Sequence, residues 1–555
     1  MIHVKRILSD PARICHVLIW AMCGFVFILL GSLSLAPLMG WDQLHFHYNV
    51  MKMKLWHILP YRDYYDLQFF GIYAYHWLSQ LLFGYSHLGF RIFDLLNHLF
   101  LCATLYVTLP VIYPKIEKRE IPIVLIFITA AYYGLGWWWN GQRESFLMPY
   151  VFWALFFWKH SISKDSIWYA ILAGICGAIP FTIKPFYGIY IPLFVAITLF
   201  CNYPWPASRR SRIKQTLFAA CGYLAVVFIM TIFLWQQEIL SHFFHHITTY
   251  ATGFKKISSP WQWIAFCILF HHSPAAAKRA DSIYMLFYAL HFFFACGYIG
   301  IISIRRQFRD AFALVFLFVV STLLIFHQKN GEVINHHIPL VYLKMILSSL
   351  FITTVIDAGI RKILTRSENI STTMRGIATI LAMAIFTYPL MRGTGFSRDL
   401  IIRSFKPGGI ELCRTMFYPL KKEEDAIVRY INNDTSFDKN RDEILIFYYS
   451  LYIPFETRTK TFKRFPHIAP FLHFPKGTPL RRMLERDLIS DLLSSPPKYI
   501  ITQKDDTGWR TDTSFNHWTT SYDEMMSYPE IRHLVEVRYH RTIDMNSLVV
   551  YKRLK

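Results

Sequence analysis

With 555 residues, 54% hydrophobic and only 17% charged, the chain is too long and too apolar for one ordinary soluble domain, where about a quarter of residues are charged. The formal net charge is +22. Lys and Arg fall in short clusters between apolar runs, which argues against a continuous nucleic-acid-binding face and for contact with membrane lipid or phosphate.

Lys5, Arg6 and Arg13 precede an apolar run from Ile14 to Met39. That run is longer than the roughly 7–15 residue core of a cleaved signal peptide, so a retained first membrane helix is expected. Further runs of near-spanning length follow at 88–113, 121–139, 145–159, 166–183, 186–201, 215–236, 282–304, 311–327, 338–357 and 376–392, eleven expected spans in all. Two stretches, 67–84 and 261–271, are ambiguous. If the N-terminus is cytoplasmic and neither stretch crosses, segments 1–13, 114–120, 159–165, 202–214, 305–310 and 358–375 face inside and hold the clustered Lys and Arg. That obeys the positive-inside rule, and a crossing at 67–84 would invert it. Residues 67–84 are therefore expected to lie along the outer interface as an amphipathic or re-entrant helix. The first loop, about residues 40–87, and the C-terminus then both face outside.

The composition changes near Arg398. EEDAIVRYINN and RRMLERDLISDLLSS have helical spacing, EILIFYY, KYIIT and SLVVYKR read as strands, and EIRHLVEVRYH reads as a helix–strand pair. The alternation predicts a small soluble α/β domain over 398–555 behind a transmembrane domain over 1–397. Nine cysteines, most of them within apolar runs and without a CxxC pair, read as small packing residues.

Chemistry-bearing residues gather in loops expected on one side. Asp42 stands just past the first span, where a carboxylate can take a proton from a hydroxyl, or simply end a hydrated helix. Arg62, Lys184, Lys329 and several histidines offer cations to a departing phosphate. Glu144, in WWWNGQRESF, is either an ion-pair partner of Arg143 or a second functional acid. Lys329, in FHQKNGEVINHHIPL with Gln328, His336 and His337, is costly at a membrane edge unless paired or functional. Lys184, in PFTIKPFYG, either serves the site or snorkels to the headgroups. HFFHH at 242–246 and His271-His272 match no zinc spacing. The chain has no Walker loop, no GxGxxG opening a helix and no nucleophile elbow, so no nucleotide-driven reaction is expected.

WDQ at 41–43, PYRDYYD at 60–66 and the apolar FGIYAYHWLSQLLFG that follows resemble the first extracytoplasmic loop of the GT-C glycosyltransferase superfamily. The similarity is to the bacterial branch related to protein mannosyltransferases and aminoarabinose transferases. It implies a GT-C-like helical polytopic fold of about 11 transmembrane helices, interfacial helices in the first outer loop, and a C-terminal soluble α/β domain. It also implies Asp42 as catalytic base and Glu144, after Gly141-Gln142, as an acid facing it. Arg62, Asp63, Lys184, Gln328, Lys329, His336 and His337 are then expected to bind the donor phosphate or sugar. The implied activity moves a hexosyl or pentosyl group from a polyprenyl-phosphate donor to an envelope acceptor (lipid, glycan or protein) at the outer face of a bacterial inner membrane. Gln43 stands where many members carry a second acidic residue, so no metal site is expected, though a divalent cation stays open. The expected partners are the lipid-linked donor, membrane lipids and the acceptor, with no nucleic acid. A transporter or flippase of a lipid-linked glycan is the alternative.

Overall fold

The computed structural model describes residues 11–66, 68–135, 140–251, 282–327, 338–363, 374, 377–387, 414, 418–465, 477–506 and 520–554. The first half begins with α1 (Pro11–Ser34), α2 (Trp41–Trp56), α3 (Gly71–Phe83), α4 (His87–Ile112) and α5 (Glu120–Gly134). It continues through α6 (Arg143–Lys164), α7 (Ile167–Ile183), a 3-10 turn (Pro185–Ile189), α8 (Tyr190–Cys201), α9 (Arg209–Gln236) and α10 (Leu240–Ala251). Then come α11 (Ser282–Ile304), α12 (Phe308–His327), α13 (Ile338–Ile363) and α14 (Ile377–Thr387). Each expected apolar run falls on a helix. Five, namely α1, α4, α9, α12 and α13, are long and apolar enough to cross a membrane by length and composition alone. The chain is a multi-pass membrane protein.

Local chemistry sets the helix ends. The Ser86 hydroxyl accepts from the Gly89 amide at 2.9 Å to start α4, and Ser208 accepts from Ser211 at 3.2 Å to start α9. Helices α7 and α9 touch backbone to backbone at Gly174, where a Cβ would collide with the Ala219 carbonyl. Close approach through small residues is how membrane helices gain dispersion contacts when lipid is as apolar as they are.

Segment 67–84 contains α3, whose 13 residues reach only about 20 Å and cannot span. Its polar His76, Ser79 and Gln80 are buried, while Trp77, Leu78, Leu81 and Leu82 are exposed. A helix with polar groups turned in and apolar ones turned out suits the lipid interface. The stretch 261–271 lies outside the described residues.

The described basic loops, around 114–120, 159–165, 202–214 and 305–310, collect at the opposite end of the bundle. Lys159 donates to the Val111 carbonyl, and Lys214 pairs with Asp165 at 2.9 Å. Arg309 donates to the Pro204 carbonyl at 2.8 Å, and Arg119 pairs with Asp357 at 2.6 Å.

The C-terminal part forms an α/β domain in the order α15 (Lys421–Asn433), β1 (Glu443–Phe447), α16 (Tyr452–Thr457), β2 (Lys460–Thr461), α17 (Pro479–Ser494) and β3 (Tyr499–Gln503), then α18 (Ser521–Met526), α19 (Pro529–Arg538), β4 (Tyr539–Asp544) and β5 (Leu548–Arg553). The sheet order is β2-β1-β3-β5-β4. Strand β1 runs parallel to β2 and β3, with Ile444 opposite Tyr499, and β5 is antiparallel to both β3 and β4. The alternation of strand side chains gives two cores. Ile444, Ile446 and Ile501 meet Ile427 and Ile431 of α15, whereas Leu445, Phe447 and Ile500 meet Leu484, Leu488 and Leu492 of α17. The expected boundary at 398 lies outside the described residues.

Candidate active site

Asp42 sits in the first turn of α2, where the unpaired amides of a helix N-terminus favour a carboxylate. The turn is closed by the Gly40 amide, which donates to the Gln43 side-chain oxygen at 2.6 Å. Asp42 is half-buried. Burial pushes its carboxyl above the ordinary carboxylate range, against the pull of Arg143, His45 and Lys184 and with a push from Glu144. Residues from three separate helices thus act on one carboxylate.

Glu144 is fully buried in the first turn of α6, and its carboxylate is paired with Lys184 at the C-terminal end of α7. Each charge faces the helix end that suits it. Burial pushes the Lys184 ammonium down to about 8 despite Glu144, with Arg143 adding to the depression. Its Nζ also lies 5.6 Å from the centre of the Tyr187 ring. The sequence offered Arg143 as the partner of Glu144. Instead the Arg143 guanidinium donates to the Gln68 side-chain oxygen and lies 5.6 Å from the Phe46 ring centre. Side chains of adjacent residues at a helix start point apart, so the partner comes from another helix.

The two acidic loops are clamped together. Gln43 donates its amide to the Asn140 carbonyl, and fully buried Arg91 reaches the same carbonyl at 3.4 Å while also donating to the Leu38 carbonyl. Asp94, one turn on, accepts from the Tyr132 hydroxyl, which in turn accepts from the Gly141 amide at 2.8 Å. Gly141 has φ +73° and packs against the Phe90 ring, a place where a side chain would be strained.

The C-terminal domain docks on the same end. The Tyr48 hydroxyl donates to the Thr459 carbonyl at 2.6 Å and accepts from the Thr461 amide at 2.9 Å. The Tyr65 amide donates to the Arg464 carbonyl at 3.1 Å, and His87 lies 3.3 Å from Glu456. The Trp41 and Tyr449 rings meet with centroids 4.4 Å apart.

Comparison with solved structures places this architecture. ArnT from Cupriavidus metallidurans bound to undecaprenyl phosphate matches over 97% of this chain and 98% of its own, with TM-score 0.57 and 12% identity. The apo form of the same protein matches over 97% of each chain, with TM-score 0.54 and 12% identity. The Archaeoglobus fulgidus oligosaccharyltransferase, apo form, gives TM-score 0.48 at 12% identity over 88% of this chain and 70% of its own. ArnT is an aminoarabinose transferase of the GT-C superfamily. This chain has the GT-C fold. No protein-family model and no curated protein matches the sequence.

On this GT-C frame, Asp42, Glu144 and Lys184 come together as one electrostatic group. Arg62 and Asp63 do not join it. They pair with each other at 2.8 Å, and Asp63 also takes the Leu59 amide at 2.7 Å. Burial would raise the Asp63 carboxyl, but Arg62 and that amide hold it below the usual range. Gln328, Lys329, His336 and His337 lie outside the described residues, as do His271 and His272.

Sequence reasoning misses a second buried group. Lys52 is 1% exposed, with its Nζ 3.5 Å from the Tyr64 ring centre, and burial pushes it down to about 7 against the pull of Asp66 and Asp63. Asp66 lies 3.5 Å from His45 and accepts from Asn49 at 3.3 Å, from the Gln68 amide at 2.9 Å and from Tyr73. His246 of α10 stacks on Tyr65 with centroids 5.4 Å apart. Among the described residues no group of three or more His, Cys, Asp or Glu is placed to hold a metal ion.

Proposed function

We propose that this chain is a glycosyltransferase that takes a sugar from a polyprenyl-phosphate carrier at the outer membrane face, with Asp42 as base. The observation that carries the reading is the group of Asp42, Arg143, Glu144 and Lys184, drawn from α2, α6 and the end of α7. The acceptor hydroxyl oxygen attacks the anomeric carbon and passes its proton to the Asp42 carboxylate. The bond from that carbon to the phosphate oxygen breaks, and its electron pair leaves on the polyprenyl phosphate. Direct displacement inverts the anomeric centre. A carboxyl raised by burial is a better base than a solvated one. Lys184 and Arg143 supply positive charge to the leaving phosphate, and Glu144 holds Lys184 in place. The fold shared with ArnT, solved with undecaprenyl phosphate, supports a lipid-phosphate donor. The basic loops at the far end support an outward-facing site.

The test uses purified protein in lipid nanodiscs with a radiolabelled polyprenyl-phosphate sugar and extracted envelope glycolipids. Covalent transfer lost in Asp42→Asn, at unchanged membrane insertion, supports the reading. Full transfer by that variant, or label that only crosses a vesicle bilayer, overturns it.

A further inference from the structure

We propose that His87 is a positioning residue for Asp42, the link through which the docked C-terminal domain holds the base in place; this rests on the transferase reading above. The stretch between α1 and α2 leads directly into Asp42. Within it Ala36, Pro37, Leu38, Met39 and Gly40 are all buried. An irregular buried segment cannot satisfy its own backbone, so side chains do it instead. Arg414 donates to the Ala36 carbonyl at 3.1 Å, and Arg91 donates to the Leu38 carbonyl. The Met39 amide donates to His87 Nδ1 at 2.9 Å, and the Gly40 amide donates to Gln43 at 2.6 Å. His87 and Arg91 stand one turn apart on α4 and so present one face to the segment.

The other side of the imidazole meets the C-terminal domain. An Nδ1 that accepts from an amide carries no proton, so the proton of the neutral ring sits on Nε2. Nε2 lies 3.3 Å from Oε1 of Glu456 in α16, and a carboxylate there selects that tautomer. Helix α16 also fixes the ring plane. Tyr452 stacks on it with centroids 5.7 Å apart and planes 23° apart, and Phe455 meets it edge-on at 5.2 Å. His87 is buried, whereas Glu456 is exposed. The chain of contacts therefore runs from Glu456 through the imidazole to the Met39 amide and, three residues on, to Asp42. Without Glu456 the imidazole can carry its proton on Nδ1 instead, which sets donor against donor at Met39 and frees the segment. A reacting group misplaced by about 1 Å can lose roughly a hundredfold in rate.

Asparagine and glutamine divide the two nitrogens between them. His87→Asn keeps an acceptor at the Nδ1 position and cannot reach Glu456. His87→Gln reaches Glu456 and leaves the Met39 amide without its acceptor. Full-length protein in nanodiscs receives radiolabelled undecaprenyl-phosphate glucose or arabinose with extracted envelope glycolipids, and kcat and the donor KM are measured separately. His87→Gln is expected to lower kcat about tenfold or more with the donor KM within about twofold, while His87→Asn stays within about threefold of wild type. Glu456→Ala, an exposed change, should lower kcat about threefold in the wild-type background and not at all in His87→Asn, because the two side chains act as one unit. Equal kcat in the two His87 variants, a change in KM alone, or a Glu456→Ala loss that persists in His87→Asn overturns the positioning role and leaves the transferase reading standing. A wild type that neither transfers nor hydrolyses either donor ends the transferase reading first, and the positioning role with it.

Discussion

The side-chain amide of Gln43 donates to the backbone carbonyl of Asn140, tying the helix that carries Asp42 to the loop that leads into Glu144. Gln43→Glu replaces that donor with a carboxylate facing a carbonyl, which weakens a clamp that Arg91 shares. An unsatisfied buried polar group costs about 1–3 kcal/mol. The transfer rate of Gln43→Glu is expected to fall at least about tenfold, with a lowered melting temperature in nanodiscs. Wild-type turnover in this variant would show that the clamp does not position Asp42.

The Glu144–Lys184 pair joins positions 40 residues apart inside the protein. Removing one partner of a buried pair leaves an uncompensated charge and costs roughly 3–5 kcal/mol, whereas removing both with matched volume is often neutral. Glu144→Gln is therefore expected to melt well below wild type. Glu144→Gln with Lys184→Met should melt near wild type yet transfer no sugar. Thermal unfolding and a transfer assay on the same preparations check both halves, and a double variant that transfers normally would remove the pair from the mechanism.

The roles proposed for Asp42 and Lys184 predict opposite limbs of a pH profile. Asp42 acts when deprotonated, and burial lifts its carboxyl above the usual range, so activity should rise with pH later than an exposed aspartate allows. Lys184 acts when protonated, and it is pushed down to about 8, so activity should fall as pH climbs through that value. Lys184→Arg keeps its charge at higher pH and is expected to lose the alkaline limb while keeping the acid one. An alkaline limb that persists in the Arg variant would assign it to another group.

Much of this was legible in the sequence because it is local. Apolar runs gave the helices, and alternating helix and strand segments gave the small α/β domain, whereas its two cores, around Ile427 and around Leu484, emerge only in the fold. Asp42 stood out as a candidate because a carboxylate set directly after an expected span is expected at the depth of a lipid-linked phosphate. What joins distant positions was not legible. Nothing in WWWNGQRESF names Lys184 as the partner of Glu144, and no spacing pairs Trp41 with Tyr449. Nothing local singles out Lys52 either, because an ordinary amphipathic helix turns its lysines to water, whereas here Lys52 ends over the Tyr64 ring. The inner clamp did leave a signal in the chain. Arg91 and Asp94 stand inside a spanning run, where ionisable residues are costly and normally serve something.

Tyr48 bridges the domains with one hydroxyl, donating to Thr459 and accepting from Thr461. Tyr48→Phe leaves a buried carbonyl and a buried amide unpaired, at about 1–3 kcal/mol each. The expected result is a loosened C-terminal domain, read as faster limited proteolysis between the membrane helices and α15, with little change in the helical content of the bundle. Proteolysis at the wild-type rate would place the docking energy in Tyr65, His87 and the apolar seam instead.

Glu424 gives the C-terminal domain a pH dependence of its own. It is fully buried beneath Tyr448 and is pushed up to about 7 by that burial, although hydrogen bonds from Tyr448, Tyr418 and Ser450 work the other way. The folded state therefore holds a proton that the unfolded state releases near its ordinary value of about 4.3. Stability falls wherever the folded state binds more protons, so it should decline as pH rises from about 4.5 to 7 and level off above. The loss over that window is on the order of 3 kcal/mol. Glu424→Gln keeps the shape and cannot ionise, so the domain's melting transition in the full-length protein should lose this slope and gain stability at pH 8. A slope unchanged in Glu424→Gln would mean that another carboxyl, or the Tyr448 contact alone, governs the transition.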